Sequence, residues 1–141
     1  WCPGCGDYSI LAQVKKVPGF LEKKRRLAGW YAELLAPLAA AGRIHLQPEA
    51  PWAKSVFWMC SVLLAGGPVS RDQARARLSD RGIDTRPFFH PVHTLPPYDR
   101  RERLPVAEDL GARGVNLPSG LGLERSHVAR VAQALTAALD A

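Results

Sequence analysis

Cys2-Pro-Gly-Cys5 sets two thiols at a spacing that lets both reach one metal ion, and thiolates are favoured ligands of zinc and of iron–sulfur clusters. A structural zinc site needs four ligands, commonly two such pairs. Cys60 falls within the apolar run SVFWMCSVLL and reads as a buried free thiol. His90-Pro-Val-His93 would complete a Cys2His2 set only by a convergence that nothing in the spacing supports. Cys2 and Cys5 are therefore half a ligand set, and no metal site is predicted. The cysteines number 3, an odd count, so a disulfide framework is not expected either.

A second chemical stretch lies further on. Phe88 to Tyr98, FFHPVHTLPPY, crowds prolines, histidines and aromatics into one loop. Rigid and functional side chains concentrated in a loop mark a binding surface. Arg86 precedes it, and its planar guanidinium suits either a carboxylate or phosphate ligand or a structural ion pair. His90 and His93 read equally as ligand contacts or as loop histidines bonded to backbone.

These residues need a scaffold. Residues 8–17 read as a short helical segment stopped by Val17-Pro18-Gly19, and a long helix follows from about Phe20 to Ala41. Phe20, Leu27, Trp30, Tyr31, Leu34, Leu35 and Leu38 recur at helical spacing, with the Lys/Arg cluster largely opposite and Gly42 as the stop. Arg43 to Gln47 alternates weakly, as a short strand would. Ser55 to Leu64 is β-branched, aromatic and apolar on both faces, which predicts a central strand covered on each side. Ser70-x-x-Gln73 has the form of a capping box opening a helix that ends at Gly82. Ile83 to Arg86 reads as a strand closed by Pro87, Val106 to Leu110 as a short helix, and Val115 to Leu117 as a short strand. Ser119 reads as a cap of the turn before a terminal helix over Leu123–Leu139, whose stripe is Val128, Val131, Leu135 and Leu139. Helices interleaved with short strands predict an α/β (α+β) layer.

The 141 residues suit one domain with a real core. The net charge of +6 raises nucleic-acid binding. However, the basic residues alternate with Glu22, Glu33, Asp72 and Asp80 along helices, and no zinc-finger or RNA-binding signature occurs. They read as solvated faces, and neither nucleic acid nor membrane is an expected partner. No apolar run approaches the roughly 20 residues a bilayer requires, and no secretory signal is visible. A cytoplasmic location is expected. Met59 is the only methionine, so the chain is read as a piece of something longer.

Two resemblances follow from the quoted residues. WCPGCGDYSIL resembles the start of the β subunit of thiamine-diphosphate-dependent 2-oxoacid:ferredoxin oxidoreductases, whose Cys-Pro-Gly-Cys-Gly contributes cluster ligands. The further cluster cysteines and the Gly-Asp-Gly motif of that family are missing. From about Leu11 onward, FLEKKRRLAGWYAELL, WAKSVFWMCSVLL, SRDQARARLSDRGIDTRPFFHPVHTLPPY and GVNLPSGLGL resemble the C-terminal portion of the DegT/DnrJ/EryC1/StrS aminotransferases, closest to the perosamine-synthase-like branch. The second resemblance implies the small domain of a fold-type I, pyridoxal-phosphate-dependent enzyme that moves an amino group, from glutamate, onto a nucleotide-linked 4-keto-6-deoxy sugar. It implies a homodimer, and substrate-side roles for Arg86, His93 and Tyr98 beside the active-site cleft.

In that family the Schiff-base lysine precedes the region present here, and Lys15, Lys16, Lys23, Lys24 and Lys54 match no such motif. Where the family carries GxNxRM, this chain has CPGCGDYS. Residues 1–10 are accordingly read as a foreign or rearranged cap and 11–141 as the small domain with its leading helix. The chain alone is expected to be inactive and to bind no cofactor. It is also expected to bare apolar surface around Trp30, Tyr31 and Leu34. The rival readings are a metal or electron-transfer module built on Cys2 and Cys5, and a stand-alone interaction domain using the aromatic loop or the basic helix faces.

Overall fold

The computed structural model describes residues 16–98 and 103–140. Elements run in the order α1 (Val17–Ala40), β1 (Ile44–Leu46), β2 (Cys60–Leu64), α2 (Arg71–Ser79), β3 (Arg86–Pro87), two 3-10 turns (Val92–Thr94 and Pro96–Tyr98), α3 (Pro105–Arg113), β4 (Gly114–Leu117) and α4 (Arg125–Leu139).

Val17-Pro18-Gly19 opens the long helix. Proline costs nothing in a first turn, whose N–H groups have no intrahelical partner. The segment expected over 8–15 lies outside the described residues. Leu27, Tyr31, Leu35 and Leu38 form the buried stripe of α1. The helix closes with Gly42 N–H donating to Ala39 O (3.0 Å) and Arg43 N–H to Leu38 O (2.9 Å). This paired closure needs φ > 0 at the glycine, and Gly42 has φ +66°. Trp30 and Leu34 pack partly buried against the core and Tyr31 is fully buried, contrary to the expected bare surface. The chain's own α4 and sheet cover them; the large apolar residues of α1 that stay exposed are Val17, Phe20 and Leu21.

The four strands pair antiparallel in the order β1-β2-β4-β3. Register assigns each residue to a face, because side chains alternate. One face carries Ile44, Leu46, Cys60, Val62, Leu64, Val115 and Leu117. It packs into a core with α1 and α4, where Leu35, Val128 and Leu135 are fully buried. α2 docks on α4, and its capping box is complete, with Gln73 N donating to Ser70 Oγ and Ser70 N to Gln73 Oε1.

The opposite face carries Ser61, Leu63, Gly114, Asn116 and Arg86. Ser61 and Leu63 are only half-buried, so β2 is central in the sheet but not covered on both sides as expected. Residues 55–59 do not join the strand, because the chain turns at Phe57. Of the strand expected over 83–86 only Arg86 pairs, and Pro87, expected to close it, pairs as well. α3, none of whose side chains is buried, contacts β2, and its Gly111 abuts Pro91. Glu124 is the N-cap residue of α4. No helix among the described residues is long and apolar enough to cross a membrane.

Candidate functional site

A groove in two parts runs from the half-open sheet face round the strand ends to α4. One part, a cavity of about 500 Å³, lies among Trp58, Phe88, Phe89, Ser61 and the α3 residues Leu110 and Gly111. The other, about 520 Å³, lies among Arg86, Asp84, Ser119, His127 and Arg130. The two parts share Met59 and Asn116, and each has the size of a small-molecule site.

Its floor is fixed by polar bonds across three strands. Ser61 Oγ donates to Asn116 Oδ1 (2.7 Å), and Asn116 Nδ2 donates to the Pro87 carbonyl (3.1 Å). A buried amide with both ends satisfied is a rigid element, since leaving either unpaired is costly. The Phe88 ring lies over Gly114, where a Cβ would sit only 2.2 Å from the ring.

The aromatic wall is held by two neighbouring cations on α1. Lys24 Nζ donates to the carbonyls of Trp58 (2.7 Å) and Ser119 (2.5 Å), tying both parts of the groove together. Arg25 grips Glu49 through two parallel bonds (2.8 and 3.0 Å), donates to the Ser55 carbonyl and lies 5.6 Å over the Phe57 ring. Glu49 also accepts from Ser55 N–H (2.7 Å). The Arg25 bonds, then that N–H, hold the Glu49 carboxyl below its ordinary range. Behind the wall, Tyr31 donates its hydroxyl to the Pro118 carbonyl (2.8 Å), and burial pushes its ionisation up.

Arg86 has a side chain 75% exposed and, among the described residues, pairs with the exposed Asp84 (3.1 Å). His93 points inward: its ring is 12% exposed, with Nε2 3.2 Å from Glu108 Oε1. Glu108 also accepts from Leu104 N–H (2.9 Å), and these contacts, the backbone one foremost, lower its ionisation. Tyr98 closes the second 3-10 turn and is 58% exposed, while His90 is exposed. The cavity that Arg86 lines contains neither His93 nor Tyr98. The residues that sequence reasoning missed are Lys24, Arg25, Glu49, Trp58 and Asn116, while Phe89 falls in the loop it singled out; the signal available for the others was Ser61 interrupting an apolar run.

Cys2 and Cys5 lie outside the described residues. Cys60 is buried, and burial raises its thiol to about 11, as for an inert core cysteine. Among the described residues no three His, Cys, Asp or Glu side chains gather closely enough to hold a metal.

A Schiff-base site requires an amine free to react. Of the described lysines, Lys24 is committed to two carbonyls, Lys54 lies on the outer Arg25–Glu49 loop, and Lys16 and Lys23 are exposed at the start of α1 and line neither part of the groove. The residues described do not fit a pyridoxal phosphate site, and no step is derived through that group.

Comparison with known proteins gives one consistent picture. The family model described as the DegT/DnrJ/EryC1/StrS aminotransferase family matches residues 9–136. GDP-perosamine synthase of Caulobacter vibrioides is 39% identical over 128 residues, covering 89% of this chain and 34% of that protein. DesV of S. venezuelae, solved in complex with a ketimine intermediate, superposes with a TM-score of 0.83 at 28% identity, over 94% of this chain and 35% of that one. DesI, solved in the presence of its TDP-sugar product, gives 0.81 at 26% identity, over 92% and 33%. The chain thus spans about a third of the relatives it matches. They give no support to the oxidoreductase likeness of residues 1–10.

Proposed function

Because the chain belongs to the DegT/DnrJ/EryC1/StrS aminotransferase family, we propose that its residues 11–141 are the small domain, with leading helix, of a sugar-nucleotide aminotransferase. The observation that carries this reading is the 39% identity to a GDP-perosamine synthase together with the shared fold. The reaction moves an amino group from glutamate onto a nucleotide-linked 4-keto-6-deoxy sugar in the cytoplasm.

Pyridoxal phosphate, which supplies the electron sink for transamination, belongs to the larger part of the enzyme, supplied as a homodimer. The 141 residues contribute a wall of the cleft and no turnover alone. Arg86 and Tyr98, both exposed, meet substrate or amino donor. His93 serves the site as a positioning residue, holding the loop to α3 through Glu108. Residues 1–10 are a cap with no cofactor role.

Reading the coding sequence upstream of Trp1 tests the proposal, together with an assay for amino-sugar formation from glutamate and GDP-4-keto-6-deoxymannose. A lysine-bearing cofactor domain upstream is expected, with turnover only when it is joined to this chain. An upstream oxidoreductase frame, or turnover by the 141 residues alone, overturns the proposal.

A further inference from the structure

Trp58 is displayed to solvent, and the surrounding chain holds it there by independent means. Phe57, just before it, has φ +45°, a conformation that bulky residues rarely adopt. Such strain persists only where the surroundings over-determine it, and it gathers at functional sites. Here Phe57 N–H donates to Ser55 Oγ (3.1 Å), Arg25 lies over the Phe57 ring, and Lys24 holds the Trp58 carbonyl. The outcome is a pair of rings, Trp58 and Phe89, stacked with centroids 6.2 Å apart and planes within 15°. Both stay open to solvent, at 63% and 70% exposure. Hydrophobic burial alone would drive these rings inward.

Charge lies at the other end of the groove. Arg86 pairs across to Asn116, and Asn116 to Ser61, all on one face of the sheet. Two strand spacings, about 10 Å, therefore separate Arg86 from the strand that Trp58 leads into. The Asn116 amide is committed to Ser61 and Pro87, which makes it floor and not ligand. The Arg86 fork suits phosphate oxygens.

We propose that Trp58 and Phe89 are the stacking platform for the base of the nucleotide-linked substrate, whose diphosphate lies along the Ser61–Asn116–Arg86 row. This rests on the sugar-nucleotide reading and adds where the nucleotide lies. Every base has a π face, so stacking accepts purines and pyrimidines alike. The platform holds the base without selecting it, and discrimination between guanine and thymine falls to other residues.

Calorimetric titration of the folded 141-residue chain tests this, with GDP, dTDP, guanosine, pyrophosphate and mannose as probes and circular dichroism as the folding control. GDP and dTDP are expected to bind within about three-fold of each other, as edge-blind stacking requires. Trp58→Ala weakens both roughly ten-fold or more, the scale of one lost base stack, while Trp58→Phe keeps most of the affinity. Arg86→Ala weakens GDP and spares guanosine. Trp52→Ala, at an exposed tryptophan outside both parts of the groove, changes nothing.

GDP binding that survives Trp58→Ala and Phe89→Ala unchanged overturns the platform. So does mannose binding as well as GDP, which makes the rings a carbohydrate surface, or a folded chain that binds no nucleotide. None of these outcomes touches the aminotransferase reading, which fails instead on the upstream coding sequence and the turnover assay.

Discussion

Glu49 is gripped on two sides, by the paired N–H groups of Arg25 and by the N–H of Ser55. Both partners favour its charged form, and its carboxyl titrates below the ordinary range. The sign follows from linkage. A carboxylate whose folded pKa is depressed stabilises the fold above its unfolded value, about 4.3, and that contribution is lost as pH falls through the folded value. Glu49→Gln should therefore lower the urea midpoint at pH 7, and the gap to the parent protein should close below about pH 4. A gap independent of pH would show that shape and not charge holds the loop. The same loop positions Phe57 and Trp58, so the variant's tryptophan emission at pH 7 should also change.

At the scale of elements, β3 is short and depends on its neighbour: Phe88 N–H donates to the Gly114 carbonyl (3.1 Å), and the Phe88 ring fills the place of a Gly114 side chain. Gly114→Ala would set a Cβ 2.2 to 2.4 Å from that ring. The ring must move and carry Phe89 with it, at a cost of about 1–3 kcal/mol for an overpacked site. The expected readings are a lower thermal midpoint and loss of the Trp58–Phe89 stack in the aromatic circular dichroism; an unchanged spectrum would mean that the loop moves independently of the strand. How far such features can be read from the chain depends on their range. The stripe of α4, the capping box of α2 and the glycine stop of α1 are local patterns, and all three are legible in the sequence. The break before β2 is not, because Ser55 to Met59 carry strand residues that Arg25, Lys24 and Glu49, from outside the segment, divert. The same holds at the site: the loop over 88–98 stands out by composition, but the His93–Glu108 pair and the Trp58–Phe89 stack need the tertiary fold.

The whole molecule balances charge against exposed apolar surface. Val17, Phe20 and Leu21 share one side of α1, since residues three and four apart are helical neighbours, and all three are exposed. Val56, Trp58 and Phe89 add a second apolar area at the groove. Contiguous exposed apolar patches favour association, while a net charge of +6 keeps copies apart. Salt removes the second effect first, because the screening length falls from about 10 Å at 0.1 M to about 3 Å at 1 M. The 141-residue chain should thus be monomeric when dilute at low salt and associate as salt rises. Phe20→Glu with Leu21→Lys should suppress that association, leaving net charge unchanged and the buried stripe of α1 untouched. Sedimentation velocity across a salt series measures this directly. Association that persists in the double variant would move the contact to the groove rim, where Trp58→Ala becomes the informative change. A chain that stays monomeric at high salt and high concentration would show that neither apolar area drives contact between copies.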